Sequence, residues 1–174
     1  MAYAVSGYPD LSNDDHDMIH NYRKNYDEWL YNVVKSHFSF VFPTNILTEK
    51  EFKSEIRELA AGFRKINFVI RCAMVNKDSF SDWFHVFLVP DEGYSNIVKL
   101  HDQLYSSRLK DEQRLDIDFI PHIGVGTSRD QYKCKKMADE WNRQDFQIAG
   151  TISRLVIVEF NGKEVLDLEY LPLE

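Results

Sequence analysis

The stretch Ser36-His37-Phe38-Ser39-Phe40-Val41-Phe42-Pro43 decides how the rest of the chain is interpreted. Three phenylalanines alternate in it with smaller residues, and a period of two indicates a strand with one buried face. The phenylalanines are expected in the core, whereas His37 and Ser39 share the opposite face with Val41. An imidazole beside a hydroxyl has the pattern of a general acid or base next to a phosphate-binding group. An ordinary strand with one solvated face has the same pattern.

The composition predicts one packed domain that comprises residues 1–174. Neither a linker nor a shift in composition divides these 174 residues, and the length suffices for a proper core. No apolar run approaches the roughly 18 residues of a membrane span, and the first residues lack the basic start of a secretory signal. Cys72 and Cys134 are far apart in sequence, so we expect two reduced core cysteines in a cytoplasmic protein.

The overall charge narrows the class of ligand. The formal net charge is −7 and the sequence pI is about 5.4, whereas proteins that track along nucleic acid normally carry a basic face. A local pocket can still be positive. The composition therefore favours a small or terminal phosphate over a long duplex, and we expect a monomer with no membrane partner.

Strand and helix signals follow one another in the order of an α+β domain. The helices are expected to begin at Ser12, at the capping box Thr48-Glu49-Lys50-Glu51, after the turn that ends at Gly93, and at a second capping box that begins with Ser128. Asn161-Gly162 predicts a type I′ hairpin. The charged segment 108–118 is expected to be a loop, and a mobile one. Strands are predicted at 3–5, 37–43, 66–75, 83–89, 119–126, 152–160 and 164–171.

Polar residues on the predicted helices have ordinary explanations. Arg23 and Asp27 are four residues apart, and we interpret them as a solvent-exposed ion pair of small energetic value. His16 and His20 fit solvated helix positions, and His101 fits a buried position satisfied by packing and one hydrogen bond. For His85, which shares a strand face with two aromatic residues, we favour a structural position over the wall of a groove.

A second histidine strand repeats the outline of the first. His122 is followed by Ile-Gly-Val-Gly-Thr and then by a capped helix, as His37 is followed by its strand and the helix at Thr48. Each half of the chain reads as strand, helix and two further strands. This weak repeat suggests two similar lobes that place two histidines across a shared groove.

With both strands in view, the sequence resembles the 2H phosphoesterases, which include the 2′-5′ RNA ligase-like proteins and carry a His-x-Thr/Ser-x motif in each lobe. The motifs here are His37-Phe38-Ser39-Phe40 and His122-Ile123-Gly124-Val125. Arg23-x-x-x-Asp27 precedes the first motif, Leu100-His101 and Leu104-Tyr105 lie between the motifs, and Pro121 precedes the second histidine. The resemblance covers nearly the whole chain and implies a two-lobed fold, with antiparallel sheets lining a central groove and helices outside.

The resemblance also implies metal-independent and cofactor-free chemistry on a phosphodiester, most simply the opening of a 2′,3′-cyclic phosphate of a nucleotide or RNA end. His37 and His122 would act as general acid and base, because an unperturbed pKa of about 6.5 populates both forms near neutrality. Ser39 would donate to a non-bridging phosphate oxygen. The same site run in reverse would join ends rather than cleave them.

The second motif departs from the family pattern, because Gly124 stands where a threonine or serine is usual. Thr127 has the wrong parity for a regular strand and could replace the hydroxyl only if the strand twists or ends at Gly126. Alternatively, Gly124 lets phosphate approach a backbone amide. A further alternative is that catalysis has decayed and the groove only binds a nucleotide or RNA end.

Overall fold

The computed structural model describes all 174 residues, and it contains four helices and nine strands. The helices are α1 (Asn13–Tyr26), α2 (Glu49–Ala60), α3 (Tyr94–Leu104) and α4 (Gln131–Asn142), with a short 3₁₀ turn at Lys110–Glu112. The strands are β1 (Ala2–Gly7), β2 (Asp10–Leu11), β3 (Phe38–Thr44), β4 (Ile66–Lys77), β5 (Phe84–Glu92), β6 (Ile123–Ser128), β7 (Ile148–Ile152), β8 (Arg154–Phe160) and β9 (Val165–Pro172). The α+β class predicted from the sequence is confirmed.

The strands form two antiparallel sheets. The first has the order β3-β1-β8-β9 and the second the order β2-β7-β4-β5-β6. Both strands that follow a motif histidine, β3 and β6, are edge strands of their sheets. An isolated bridge between Asp27 and Thr127 ties the end of α1 to β6.

The repeat of elements does not correspond to two lobes built from consecutive halves of the chain. The hairpin β4-β5 follows the first histidine strand in sequence but belongs to the sheet of the second. The hairpin β8-β9 follows the second histidine strand and belongs to the sheet of the first. Each half therefore contributes its final hairpin to the opposite sheet, which interlocks the halves.

Most of the buried apolar side chains form one cluster of 31 residues that extends through both sheets and the helices. Phe38 of β3 meets Phe68 of β4 edge-on, with the ring centroids 5.0 Å apart, so the two sheets are joined through the core. Helix α2 begins at Thr48 with the predicted capping box and buries Phe52 and Ile56 completely. Ile123 and Val125 of β6 belong to the same cluster, so packing in the core supports both histidine strands.

Several local expectations are wrong. Helix α4 is capped by Asp130 rather than Ser128, because the Asp130 carboxylate accepts the amides of Tyr132 and Lys133 while Ser128 ends β6. The β8-β9 hairpin is present, but its turn is not type I′. Only Gly162 has a positive φ, and the Asn161 side chain accepts amides within a four-residue loop.

The cysteines and the second histidine strand also differ in part from expectation. Cys134 is buried, but Cys72 is exposed on β4 and is not a core residue. The predicted strand over 119–126 begins at Ile123 instead, with His122 immediately before it. None of the helices has the length and apolarity that crossing a lipid bilayer would require.

Candidate active site

A cavity of about 760 Å³ contains all five residues that the sequence singled out. His37 and Ser39 line it from the first sheet, and His122, Gly124 and Thr127 line it from the second. The two histidine strands therefore contribute to one cavity, as the sequence predicted. Further walls come from β5, from the turn after α1 and from the segment between α3 and β6.

A β-bulge that lies three residues after each motif histidine determines which of the next side chains face the cavity. In β3, Ser39 pairs with Ser6 and Val41 pairs with Val5, so Phe40 is the extra residue. Adjacent residues of β1 face opposite ways, and so Ser39 and Val41 do as well. Val41 is consequently buried, whereas Phe42 lies in the cavity wall. The expected positions of Val41 on the open face and Phe42 in the core are both wrong.

The bulge in β6 has the same spacing from its histidine. Gly124 pairs with Phe87 and Gly126 pairs with Val86, which leaves Val125 as the extra residue. Thr127 pairs with His85, which shares the face of Phe87 on β5, so Thr127 shares the face of Gly124. In a regular strand, Thr127 and Gly124 would face opposite sides. The extra residue in the bulge brings them to the same side.

Both motif imidazoles are held in the same orientation relative to the backbone. His37 Nδ1–H donates to the carbonyl oxygen of Lys35 at 2.7 Å, and His122 Nδ1–H donates to that of Ile120 at 2.6 Å. Each acceptor lies two residues before its histidine. A carbonyl accepts only, so each neutral imidazole carries its hydrogen on Nδ1 and presents an unprotonated Nε2. His37 Nε2 is 3.2 Å from Ser39 Oγ and accepts its hydroxyl hydrogen.

The surroundings favour the neutral form of both imidazoles. Burial lowers the pKa of His122 to about 4, and the nearby His37 contributes to this shift. Burial and the positive charge of Arg23 lower the pKa of His37. The His122 ring is also stacked on Phe87, with the centroids 3.4 Å apart. Near neutrality, the cavity therefore presents two proton acceptors.

Arg23 and Asp27 form a buried ion pair, and the expectation of a solvent-exposed pair is wrong. Only 5% of Arg23 and 8% of Asp27 is exposed, and the guanidinium NH2 lies 2.9 Å from Asp27 Oδ2. Arg23 also donates to the carbonyl oxygens of Leu30 and Val34. The pair thus fixes the turn after α1, from Asp27 to Ser36, which leads into the first motif.

The hydroxyl of Thr127 belongs to the same polar network. It donates to Asp27 Oδ1 at 2.8 Å and accepts the amide of Trp29 at 3.0 Å. Its hydrogen is therefore engaged by a carboxylate. The Cβ position of Gly124, in contrast, has no neighbouring atom within 4 Å. The cavity has room for a side chain there.

His85 was not predicted as part of the site. It lines the cavity and its Nε2 lies 3.3 Å from Asp78 Oδ2, contrary to the expectation of a position away from the groove. One feature of the sequence could have placed His85 in the site: it lies on the same strand face as Phe87, another residue of the cavity wall. The expectations for exposed His16 and His20 and for buried His101, which donates to the Phe40 carbonyl, are confirmed.

The charged segment 108–118 also contributes to the cavity wall, a point that the sequence left open. Glu112 and Arg114 are among its lining residues. Buried Leu109 and the hydrogen bond that Thr44 Oγ1 donates to Glu112 anchor this segment to the first sheet and the core. These contacts hold the segment against the cavity.

A family model for the 2′-5′ RNA ligase superfamily matches residues 9–164. The chain therefore belongs to this superfamily, and the resemblance to the 2H phosphoesterases is confirmed. A search of curated proteins found no sequence match.

Solved structures share the fold at low sequence identity. TT0787 of Thermus thermophilus superimposes with a TM-score of 0.62 at 12% identity, over 99% of this chain and 98% of that one. LigT of E. coli, complexed with 3′-AMP, gives 0.59 at 15% identity over 99% and 97%. Usb1 of Kluyveromyces marxianus gives 0.57 at 10% identity over 99% and 98%. At sequence identities this low, the superpositions show that the fold is shared and show nothing about function.

Proposed function

We propose that this protein is a metal-independent phosphoesterase that opens a 2′,3′-cyclic phosphate, or cleaves a 2′-5′ phosphodiester, of a nucleotide or RNA end. The observation that carries the proposal is the matched pair of imidazoles, His37 and His122. Both line one cavity, and each has its Nδ1–H engaged by a backbone carbonyl, which leaves Nε2 for proton transfer. In-line displacement requires a base and an acid on opposite sides of phosphorus. We assign these two roles to His37 and His122, which precede the edge strands of the two sheets.

The chemistry needs one protonated and one neutral imidazole. The neutral Nε2 takes a proton from water, whose oxygen bonds to phosphorus as the bond to the leaving ribose oxygen breaks. The protonated Nε2 gives its hydrogen to that oxygen, and a phosphomonoester remains. Exchange of protons with solvent then resets the two histidines. With a hydroxyl group in place of water, the same steps join two ends.

Ser39 is the hydroxyl that we assign to the phosphate. While His37 is neutral, its Nε2 accepts the Ser39 hydrogen at 3.2 Å. Once Nε2 carries a proton it becomes a donor, and the Ser39 hydrogen is released toward a non-bridging oxygen. Gly124 would admit a phosphate oxygen close to the backbone. Thr127 donates its hydroxyl hydrogen to Asp27, so it would act on the phosphate site through this hydrogen-bond network.

The substrate class is supported by the ligands in related structures. LigT of E. coli has been crystallised with 3′-AMP and with phosphate, and Usb1 of K. marxianus with uridine monophosphate. A second candidate function is a module that binds such an end without turnover. The missing hydroxyl at Gly124 favours it, because catalysis needs stabilisation of transition-state charge that binding does not need.

The test is a panel of nucleoside 2′,3′-cyclic monophosphates and 2′-5′-linked dinucleotides, assayed in EDTA. We expect turnover by the parent protein and a loss of at least about a hundredfold in kcat in His37→Ala and in His122→Ala. His16→Ala is the matched control, because it removes an imidazole that is exposed on α1 and outside the cavity. If the parent protein binds these compounds but does not turn them over, the protein is a binding module and the proposal of an enzyme is wrong.

A further inference from the structure

We propose that Trp29 is a stacking platform for the nucleobase next to the scissile phosphate. Its ligand would be a nucleoside phosphodiester with an intact base, and base-free cyclic sugar phosphates would be poor substrates. The inference rests on the proposed function for its reaction, but the binding of a base can be measured without turnover. Trp29 is not part of either histidine motif, and the sequence did not single it out.

The first argument is that Trp29 is held in place while part of its surface stays open. Its backbone amide donates to Thr127 Oγ1 at 3.0 Å, and its ring is stacked on Trp83 with the centroids 5.5 Å apart and the planes at 22°. Trp83 in turn carries the Arg129 guanidinium 5.2 Å from its ring centroid. Trp29 nevertheless remains 41% exposed and lines the cavity. A rigid aromatic ring of this kind binds a planar ligand with little loss of entropy.

The second argument is the continuity between Trp29 and the reacting group. An aromatic row leads from His122 through Phe87 and His85 to Trp29, with successive ring centroids 3.4, 5.5 and 5.9 Å apart. All four rings line the same cavity. A nucleoside whose phosphate lies at His122 would therefore extend along a wall made of ring surfaces.

The third argument is electrostatic. The cavity wall contains three cations, and each already has a carboxylate partner: Arg23 with Asp27, Lys35 with Asp167, and Arg114 with Asp116. The wall offers no unpaired cation for a second phosphate. We therefore expect affinity beyond the reacting phosphate to come mainly from uncharged contacts, and base stacking is the strongest that these side chains provide.

The experiment compares nucleoside 2′,3′-cyclic monophosphates with ribose 2′,3′-cyclic phosphate, which lacks a base. The measured quantity is kcat/KM for a nucleoside 2′,3′-cyclic monophosphate divided by kcat/KM for ribose 2′,3′-cyclic phosphate. We expect the parent to favour the nucleosides, with small differences among the four bases because every base has a stacking face. Trp29→Ala should lower the ratio by about tenfold to a hundredfold, and Trp29→Phe should retain most of it.

Tyr132→Ala is the matched control, since Tyr132 is 76% exposed on α4 and is not part of the cavity wall. A ratio near one in the parent, or an unchanged ratio in Trp29→Ala, would overturn the inference. If the parent turns over none of these compounds, the proposed opening of cyclic phosphates fails, and the affinities of adenosine 3′-monophosphate and ribose 3-phosphate replace the ratio. A preference for the nucleotide that is lost in Trp29→Ala would still establish the platform, and equal affinities would refute it.

Discussion

At the scale of single residues, Gly124 distinguishes the two halves of the site. The imidazoles are anchored alike, but only His37 has a hydroxyl two residues later, at Ser39. Thr127 faces the same side as Gly124, yet its hydrogen is already donated to Asp27. Gly124 itself has open space where a side chain would begin. The structure therefore allows the missing hydroxyl to be added without a clash.

We predict that Gly124→Ser raises kcat for a cyclic phosphate by about tenfold. The new hydroxyl would mirror Ser39 and donate to a phosphate oxygen on which charge develops in the transition state, where one well-placed donor is worth about a hundredfold to a thousandfold in kcat. The measurement is steady-state kinetics of the parent and the variant on the same substrate at several pH values.

Gly124→Ala is the matched control, because it adds the same Cβ without a donor. A gain in Gly124→Ser with none in Gly124→Ala assigns the effect to the hydroxyl. If both variants lose activity to the same extent, the phosphate approaches the backbone at Gly124, and the alternative that glycine serves close approach is correct.

At the scale of elements, periodicity located the strands but not their irregularities. The alternation after His37 predicted β3 correctly, but the extra residue at Phe40 exchanges the faces of Val41 and Phe42. A bulge depends on pairing with a particular neighbour, here β1, and the sequence of one strand does not contain that information. For the same reason, the sequence alone did not show which side of β6 Thr127 faces, because that depends on the pairing of β6 with β5.

The turn after α1 is the second element that the sequence could not supply. Spacing showed Arg23 and Asp27 to be neighbours on a helix, but their burial depends on β6 and on the carbonyls of residues 30 and 34. Short-range patterns do not reveal such long-range contacts. The capping box at Thr48, whose partners are three residues apart, was predicted without difficulty.

We predict that Arg23→Gln lowers the free energy of unfolding by about 3–5 kcal/mol, because it leaves the Asp27 carboxylate buried without its cation. The double variant Arg23→Gln/Asp27→Asn should recover part of this loss, since it removes the unpaired charge. Urea denaturation of the single and double variants measures both effects.

Arg57→Gln provides the comparison, because it breaks a much more exposed pair with Glu169 and should have a far smaller effect. Equal destabilisation by Arg23→Gln and Arg57→Gln would contradict a structural role for the buried pair.

At the scale of the whole molecule, the site exists because the two sheets exchange hairpins. β5, which forms much of the second cavity wall, comes from the first half of the chain, and β8, whose partner β1 supports β3, comes from the second. The sequence showed the repeated order of elements and thus the existence of two histidine strands. It could not show which sheet each hairpin joins, because pairing between distant strands leaves no periodic signal.

The electrostatics of the cavity lead to the last prediction, which concerns pH. Burial lowers the pKa of both histidines below the ordinary value of about 6.5 in the free protein. The active form holds one proton between them. Below the lower of the two pKa values both histidines are protonated, and above the higher pKa both are neutral, so the active form is populated only between them. The profile of kcat/KM should therefore be bell-shaped, with its maximum on the acidic side of pH 6.5.

The profile of kcat should lie at higher pH, because a bound anionic phosphodiester favours the imidazolium form and raises both pKa values. Steady-state kinetics from pH 4 to pH 9 measures both profiles, and His16→Ala should leave their limbs in place because that imidazole is outside the cavity. A kcat/KM profile with one limb, or with its maximum above neutrality, would contradict a mechanism in which the two cavity histidines share one proton. A kcat profile that coincides with that of kcat/KM would mean that the phosphate does not bind between them.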